Sequence, residues 1–207
     1  MQMSTTTIAV IIFVAAYALI ISEKVHRTIV GIVGASLMIL CGVIDQATAI
    51  SHIDFNTLGL LMGMMIIVNI TSETGLFNFL AVWAAKKVEA QPIKLLVALS
   101  LLTMVCSGLL DNVTTVLLTV PITFGITSQL KVDVKPYLIS QILASNIGGT
   151  ATLIGDPPNI MIGSAAPELT FMMFIENLAP IAFFDLFVVM FIMEALYRKQ
   201  LVTKPEL

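Results

Sequence analysis

Residues 145–159 form a polar stretch inside a long apolar region, and their types could bind an ion or a small polar solute. They read Ser-Asn-Ile-Gly-Gly-Thr-Ala-Thr-Leu-Ile-Gly-Asp-Pro-Pro-Asn. Glycine and proline disfavour a continuous helix. We therefore expect a helix that stops near Asn146, an irregular middle, and a second helix that begins near Pro157 with Asp156 as its N-cap. At membrane depth, irregular backbone persists only where it is buried in protein or lines a polar cavity.

A second polar group lies at Asp111-Asn112, where two apolar arms meet. An aspartate at the centre of a bilayer costs roughly 2.5–3.5 kcal/mol on insertion scales. Burial favours the protonated acid, so Asp111 is a candidate proton carrier if the turn lies within the membrane. If the turn lies outside the membrane, Asp111 is an ordinary loop residue.

If both polar groups lie in the membrane, four helix ends meet there and their free backbone groups set the chemistry. The C-terminal ends near Leu110 and Asn146 present carbonyls, which suit a cation. The N-terminal ends near Val113 and Pro157 present amides, which suit an anion or a polar neutral solute. The alternative is that the nearby side chains only cap helices or pack. The candidate ion- or substrate-binding residues are Asp111, Asn112, Thr114, Thr115, Ser145, Asn146, Gly148, Gly149, Thr150, Thr152, Gly155, Asp156, Pro157 and Asn159, with a candidate Na⁺ site near Asp111, Asn112, Asn146 and Gly148.

Composition predicts the fold class. The 207 residues are 58% hydrophobic and 11% charged, with a mean hydropathy of +1.02. These values are typical of an all-α polytopic membrane protein in contact with a lipid bilayer. The sequence contains no nucleotide-binding loop, and nothing in it indicates nucleic-acid binding. We expect a protein that is not an enzyme and has no cofactor other than Na⁺ or H⁺ as a coupling ion.

Hydropathy and turn residues predict the elements that must position the polar groups. The predicted spans are residues 5–22, 28–44, 55–70 and 179–197. The two arms occupy residues 93–130 and the broken helix occupies residues 136–166. Residues 76–90 and 168–178 are predicted to be interfacial amphipathic helices. Gly75 is expected to act as a helix C-cap.

Lys and Arg residues orient these segments. The basic loops are residues 23–27, 86–94, 131–135 and 198–204, whereas loops 45–54 and 167–178 contain no Lys or Arg. Cytoplasmic loops carry the excess of basic residues. We therefore expect a multi-pass plasma-membrane protein with its N-terminus outside and its C-terminus in the cytoplasm.

The two arms admit two interpretations. They are long enough to be full spans joined outside the membrane, or they form a re-entrant hairpin whose tip stops near the midplane. Both return the chain to the same side, so charge does not distinguish them. Either way the number of crossings is odd, and a tandem copy of such a unit would be inverted, as in inverted-repeat transporters. The hypothesis is one repeat that pairs with a second, inverted repeat elsewhere in a longer gene product or in a second chain.

Two motifs resemble a known family. Asp111-Asn112-Val113-Thr114-Thr115, with Pro121 downstream, and the run at residues 145–159 resemble the ion transporter superfamily. The most similar branch is that of the arsenite permeases and P proteins, which shares a citrate-transporter-like domain. The resemblance covers nearly the whole chain as the first of two repeats. It implies a cytoplasm-facing hairpin at residues 93–130 and a homodimer of the complete transporter.

The resemblance implies a secondary-active transporter of a small inorganic ion or anion, coupled to H⁺ or Na⁺, with arsenite or another oxyanion as solute. Sodium-dicarboxylate relatives carry serine where this chain has Asp111 and Asp156, which puts carboxylate substrates in doubt. A sodium/proton antiporter and a sodium-coupled di- or tricarboxylate transporter are alternatives within transport. The alternatives of other classes are a non-transporting fragment or scaffold, and an intramembrane aspartyl protease. Leu153 stands where the Gly-x-Gly-Asp motif of such proteases requires glycine.

The orientation can be tested with single cysteines at Thr48, Lys87 and Lys131 in a background that lacks Cys41 and Cys106. An impermeant thiol reagent added outside intact cells is expected to label only position 48, because the other two loops are predicted to be cytoplasmic. Labelling after permeabilisation is the control for reactivity. Labelling of position 87 or 131 in intact cells would contradict the orientation.

Overall fold

The computed structural model describes residues 4–89, 91–198 and 200–201, which form α-helices and no β-strand. This confirms the predicted all-α fold class. Residue 90 of the first predicted interfacial helix and the predicted cytoplasmic C-terminus lie outside the described residues, as do residues 199 and 202–204 of the last basic loop. The helices are α1 (Thr5–Ile21), α2 (Arg27–Leu40), α3 (Gln46–Ser51), α4 (Phe55–Glu73), α5 (Leu76–Lys87), α6 (Pro92–Leu109), α7 (Asn112–Gln129), α8 (Lys135–Thr150), α9 (Pro157–Ala165) and α10 (Phe171–Tyr197).

The chain divides into two compact units, Met1–Asp54 and Phe55–Leu207. In the first unit, α1 packs against α2, and α2 ends at Leu40, four residues before the predicted end of that span. The early end has a local cause. Gly42 adopts a φ of +67°, and its amide donates to the carbonyl of Ile39. A left-handed glycine of this kind closes a helix and directs the chain away from its axis.

The short helix α3 lies in a loop where the sequence predicted no helix. Asp45 is its N-cap and accepts hydrogen bonds from the hydroxyl of Thr48 at 2.6 Å and from the amide of Thr48 at 2.9 Å. These hydrogen bonds, the hydroxyl bond first, hold the pKa of Asp45 below its ordinary value. The capping bonds explain why six residues of this loop become helical.

In the second unit, α4, α6 and α10 are long and apolar enough to cross a membrane, whereas α1 and α2 of the first unit are shorter apolar helices. α4 continues to Glu73, three residues beyond the predicted span. Gly75, with a φ of +76°, makes the turn from α4 into α5, at the position expected for a C-cap. Much of the apolar surface is exposed; Phe187 on α10, for example, is 72% exposed. Apolar surface on this scale suits contact with lipid or with further protein.

The last span differs from its prediction. The sequence predicted an interfacial helix at residues 168–178 and a separate span at 179–197, but α10 is one helix of 27 residues from Phe171 to Tyr197. Thr170 caps it by accepting a hydrogen bond from the amide of Met173 at 3.3 Å. Pro180 lies inside the helix. A proline there removes one backbone hydrogen bond, and the surrounding turns of α10 remain helical.

The two arms are α6 and α7, and they form a helical hairpin against α8. Near the helix starts, the hydroxyl of Tyr137 donates to the carbonyl of Pro92 at 3.0 Å. Near the helix ends, the hydroxyl of Ser107 donates to the carbonyl of Ser145 at 2.6 Å. α6 and α8 are therefore parallel. α7 runs back against them, and its Thr123 bonds to Gln141 of α8 at 3.0 Å.

Glycines let α6 and α8 approach to backbone contact. A Cβ built on Gly148 would lie 2.1 Å from the carbonyl oxygen of Met104. α8 therefore continues to Thr150, four residues past the predicted stop near Asn146. Glycine disfavours a helix by about 1 kcal/mol relative to alanine, and the close packing that Gly148 permits against α6 offsets that cost.

Gly148→Ala should destabilise the fold strongly, because the added methyl group meets backbone atoms of Met104 that cannot rotate away. We expect a loss of about 1–3 kcal/mol or more, seen as a lower Tm or as a loss of monodisperse protein in detergent. Gly125→Ala on α7 is the matched control, since a Cβ there meets nothing within 4 Å. Equal Tm values for the two variants would contradict the close contact.

Candidate functional site

Two helix breaks lie side by side in the second unit. The first is Leu110–Asp111 between α6 and α7, and the second is residues 151–156 between α8 and α9. Thr152 joins them: its hydroxyl donates to the carbonyl of Gly108 and accepts from the amide of Gly155 at 3.1 Å. The predicted convergence of four helix ends is therefore present in the structure.

Three glycines make the second break compact. A Cβ on Gly149 would lie 2.9 Å from the carbonyl oxygen of Gly155, and a Cβ on Gly155 would lie 2.9 Å from the carbonyl oxygen of Ser107. Together with Gly148, these residues bring the backbone of the break against the end of α6. No larger side chain fits at these positions without moving backbone.

Asn159 closes the second break from the α9 side. Its side-chain amide donates to the carbonyl of Gly149 at 3.2 Å and to the carbonyl of Thr152 at 2.9 Å. Pro157, as predicted, is the first residue of α9, where its missing N–H costs nothing. The free carbonyls left by the break thus gain a donor within the same segment.

Asn112 and Asn146 link the two breaks at their open side. Asn112 donates its side-chain amide to the side-chain oxygen of Asn146 at 3.3 Å, and Asn146 donates to the carbonyl of Ile142 at 2.8 Å. Asn112 and Asn146 both line a cleft of about 260 Å³ between α7 and α8. The other lining residues are Val113, Val116, Leu117, Ile142 and Ser145.

Asp111 is the N-cap of α7. One of its carboxylate oxygens, Oδ1, accepts a hydrogen bond from the amide of Thr114 at 2.8 Å. The hydroxyl of the neighbouring Thr115 is buried and has no hydrogen-bond partner among the described residues. Asp111 therefore has a capping role in the structure, and its second oxygen faces no bonded partner within the described residues.

Asp156 occupies the predicted N-cap position of α9, but its side chain makes no capping hydrogen bond. This corrects the expected role of its carboxylate, because only its backbone carbonyl accepts, from the amides of Asn159 at 3.0 Å and Ile160 at 3.3 Å. Asp111 and Asp156 are the N-cap residues of α7 and α9, so the structure places one carboxylate at each of the paired breaks. A proton or a cation bound at the breaks would lower the net negative charge there.

The structure also locates the remaining predicted site residues, and it identifies two further residues that belong to the site. Ser145 and Thr152 are buried, and both bond the end of α6. Thr150 points away from this contact and donates to the carbonyl of Asn146 in its own helix at 2.7 Å. Ser107 and Gly108 were not among the predicted site residues, although their bonds to Ser145 and Thr152 hold the second break in place. Their position directly before the first break was the available signal.

The arrangement can bind charges of both signs. The C-terminal ends of α6 and α8 direct carbonyl groups and the negative ends of their dipoles to the site, whereas the N-terminal ends of α7 and α9 direct amides to it. The candidate Na⁺ ligands Asp111, Asn112, Asn146 and Gly148 all lie at these ends. Asn112 and Asn146 are already bonded to each other, so an ion would share or replace that bond.

Comparison with known proteins gives consistent results. A family model described as citrate transporter matches residues 17–206. An uncharacterized transporter of Mycobacterium tuberculosis is 45% identical over 177 residues, which are 84% of this chain and 41% of the relative. The 46 kDa membrane protein of Mycobacterium leprae is 38% identical over 205 residues, 97% of this chain and 48% of the relative.

The human P protein is 44% identical over 163 residues, which are 76% of this chain and 20% of that protein. The resemblance predicted from the two motifs, to proteins with a citrate-transporter-like domain and to the P proteins, is confirmed by these matches. The chain spans about half of the mycobacterial relatives' length, or somewhat less, and one fifth of the human P protein.

Thr152→Val should destabilise the paired breaks. Valine keeps the shape but leaves the carbonyl of Gly108 and the amide of Gly155 without their bonds, and each buried unsatisfied group costs about 1–3 kcal/mol. Thr71→Val is the matched control, because the hydroxyl of Thr71 bonds only the carbonyl of Ile67 in its own helix. Thermal unfolding in detergent measures both, and an unchanged Tm for Thr152→Val would contradict the assigned bonds.

Proposed function

Because this chain belongs to the citrate transporter family, we propose that it forms one half of a secondary-active membrane transporter for a small inorganic ion or anion, coupled to H⁺ or Na⁺. The observation that carries the proposal is the pair of adjacent helix breaks, each with a carboxylate at the start of its second helix. Broken helices of this kind place backbone carbonyls and amides where coupling ions and substrates bind. A second half of the same architecture would complete the site.

The lengths of the relatives agree with the proposal that this chain is one half of a transporter. This chain aligns with 48% of the Mycobacterium leprae membrane protein and 41% of the Mycobacterium tuberculosis transporter. The basic loops place the two ends of this chain on opposite sides of the membrane, so the number of crossings is odd. A second copy of the chain would therefore be inverted and could face the first across the membrane midplane. We propose that α6 and α7 are the re-entrant hairpin of this unit, with Asp111 at its tip.

The carboxylates of Asp111 and Asp156 restrict the charge of the solute that the site could accept. Citrate carries several negative charges near neutral pH, and two neighbouring aspartates would repel it. A neutral or singly charged inorganic solute, such as arsenite, avoids that repulsion, and so does a cation. The proposal therefore favours a small oxyanion or oxyacid as the transported solute. Sodium/proton antiport is the second candidate, because a pair of adjacent carboxylates can exchange a cation for a proton.

Side-chain bonding suggests which carboxylate carries the coupling ion. The sequence favoured Asp111 as the carrier and Asp156 as a cap. Asp111 Oδ1 is occupied by the amide of Thr114, whereas the side chain of Asp156 makes no capping bond. Asparagine caps a helix about as well as aspartate, so Asp111→Asn should preserve the start of α7. We therefore propose Asp156 as the main carrier, with Asp111 as its partner.

Asp156→Asn in the complete transporter should lower the initial rate of accumulation driven by a pH or Na⁺ gradient by at least about tenfold, because the neutral amide does not titrate and does not balance the charge of a bound cation. Asp111→Asn should reduce the rate less. The measurement is uptake of arsenite, citrate and Na⁺ into proteoliposomes with imposed gradients.

Glu168→Gln is the matched control, since Glu168 is exposed in the segment after α9. Equal expression and monodispersity of the variants separate transport defects from misfolding. Gradient-driven uptake at the wild-type rate by Asp156→Asn would exclude it as the carrier. Absence of gradient-driven flux for every solute in the wild type would overturn transport of these solutes.

A further inference from the structure

A second polar cleft lies on the other side of Asn146, between α8 and α10. It has a volume of about 200 Å³ and is lined by Asn146, Ile147, Thr150, Leu178, Ile181, Ala182 and Asp185. Asp185 is its one acidic group. Asn146 lines this cleft as well as the cleft at Asn112, so one side chain lies between the helix breaks and the second cleft.

Asp185 lies at the centre of a membrane-length helix. α10 runs from Phe171 to Tyr197, so Asp185 is residue 185 − 171 + 1 = 15 of 27. The span predicted from the sequence began at residue 179, so Asp185 fell in its first half. Its carboxyl has no hydrogen bond or ion pair with another described residue. α10 is long and apolar enough to cross a membrane, and a carboxylate without a partner in the middle of such a helix is costly and marks an ion pathway.

The α8 side of the cleft supplies groups that favour a cation. The hydroxyl hydrogen of Thr150 is used on the carbonyl of Asn146, which leaves the lone pairs of that hydroxyl oxygen as acceptors. Ile147 and Thr150 lie in the last turn of α8, where the helix dipole is negative. A carboxylate, a hydroxyl oxygen and the negative end of a helix therefore face one cavity.

We infer that Asp185, Thr150 and Asn146 form a binding site for a monovalent metal cation, for which Na⁺ is the probe. Hard cations bind through oxygen ligands. A single carboxylate balances one positive charge, whereas divalent-cation sites in proteins usually hold several carboxylates. The site is separate from the candidate ligands at the helix breaks, with which it shares Asn146.

This site would influence the helix breaks through Asn146. A cation held by the Asn146 side-chain oxygen would fix the orientation of that amide, which also accepts the bond from Asn112. Na⁺ at Asp185 would thus stabilise the link between the two breaks. The inference rests on the proposed function only for the coupling of this ion to transport, because Na⁺ binding is measured without transport.

The test is thermal unfolding of the 207-residue chain in detergent, with NaCl replacing choline chloride at constant ionic strength and constant pH. Wild type should show a saturable rise in Tm of about 2–4 °C. Asp185→Asn and Thr150→Val should lose most of that rise. Glu176→Gln, which removes an exposed carboxylate from the same helix outside the cleft, should retain it.

Radiolabelled Na⁺ in equilibrium dialysis gives a second readout that does not depend on stability. Asp185→Asn should bind fewer Na⁺ ions than wild type, and Asp111→Asn should leave the Asp185-dependent binding in place. Equal Na⁺ responses in wild type and Asp185→Asn would overturn the site, as would a wild type that responds no more to Na⁺ than to choline. Absence of flux in the complete transporter would affect the proposed function and leave this binding result unchanged.

Discussion

The backbone at the two helix breaks must find hydrogen-bond partners inside the protein, and much of the second unit serves that requirement. In the proposed re-entrant arrangement the breaks lie at membrane depth, where water is scarce and unpaired carbonyls and amides are costly. Thr152 bonds both the end of α6 and Gly155 near the end of the second break. Ser107 reaches the carbonyl of Ser145, and Asn159 reaches two carbonyls of its own segment.

Local sequence signals predicted the elements and the breaks well, because glycine, proline and polar residues act on the backbone of their own segment. Gly75 and Pro157 both stand where they were expected. Side-chain pairing could not be predicted in this way. The capping bond of Asp111 and the absence of one at Asp156 depend on how two distant breaks meet. The position of Asp185 in the middle of its helix was missed because the last span was predicted to begin at residue 179, whereas α10 begins at Phe171.

The description of the family and the charges at the site favour different substrates. The matching family is described as citrate transporter, while this chain has an aspartate at each of the two helix breaks. A shared fold preserves the positions of the helix ends, and a few side chains decide which charge they accept. The amides of α7 and α9 favour negative charge, and the carboxylates oppose it. The proposed solute of low net charge would satisfy both.

The contact of Gly148 with Met104 limits how the second unit can deform. Where backbone meets backbone, no flexible side chain can absorb a displacement, and the parallel pair α6 and α8 shares hydrogen bonds near both ends. Sliding one helix past the other would break contacts along the whole pair. In a transport cycle, both breaks would then be carried as one rigid body. The coordination geometry around a bound ion would stay the same whichever side of the membrane the site faces, and the change of access would come from surfaces elsewhere in the transporter.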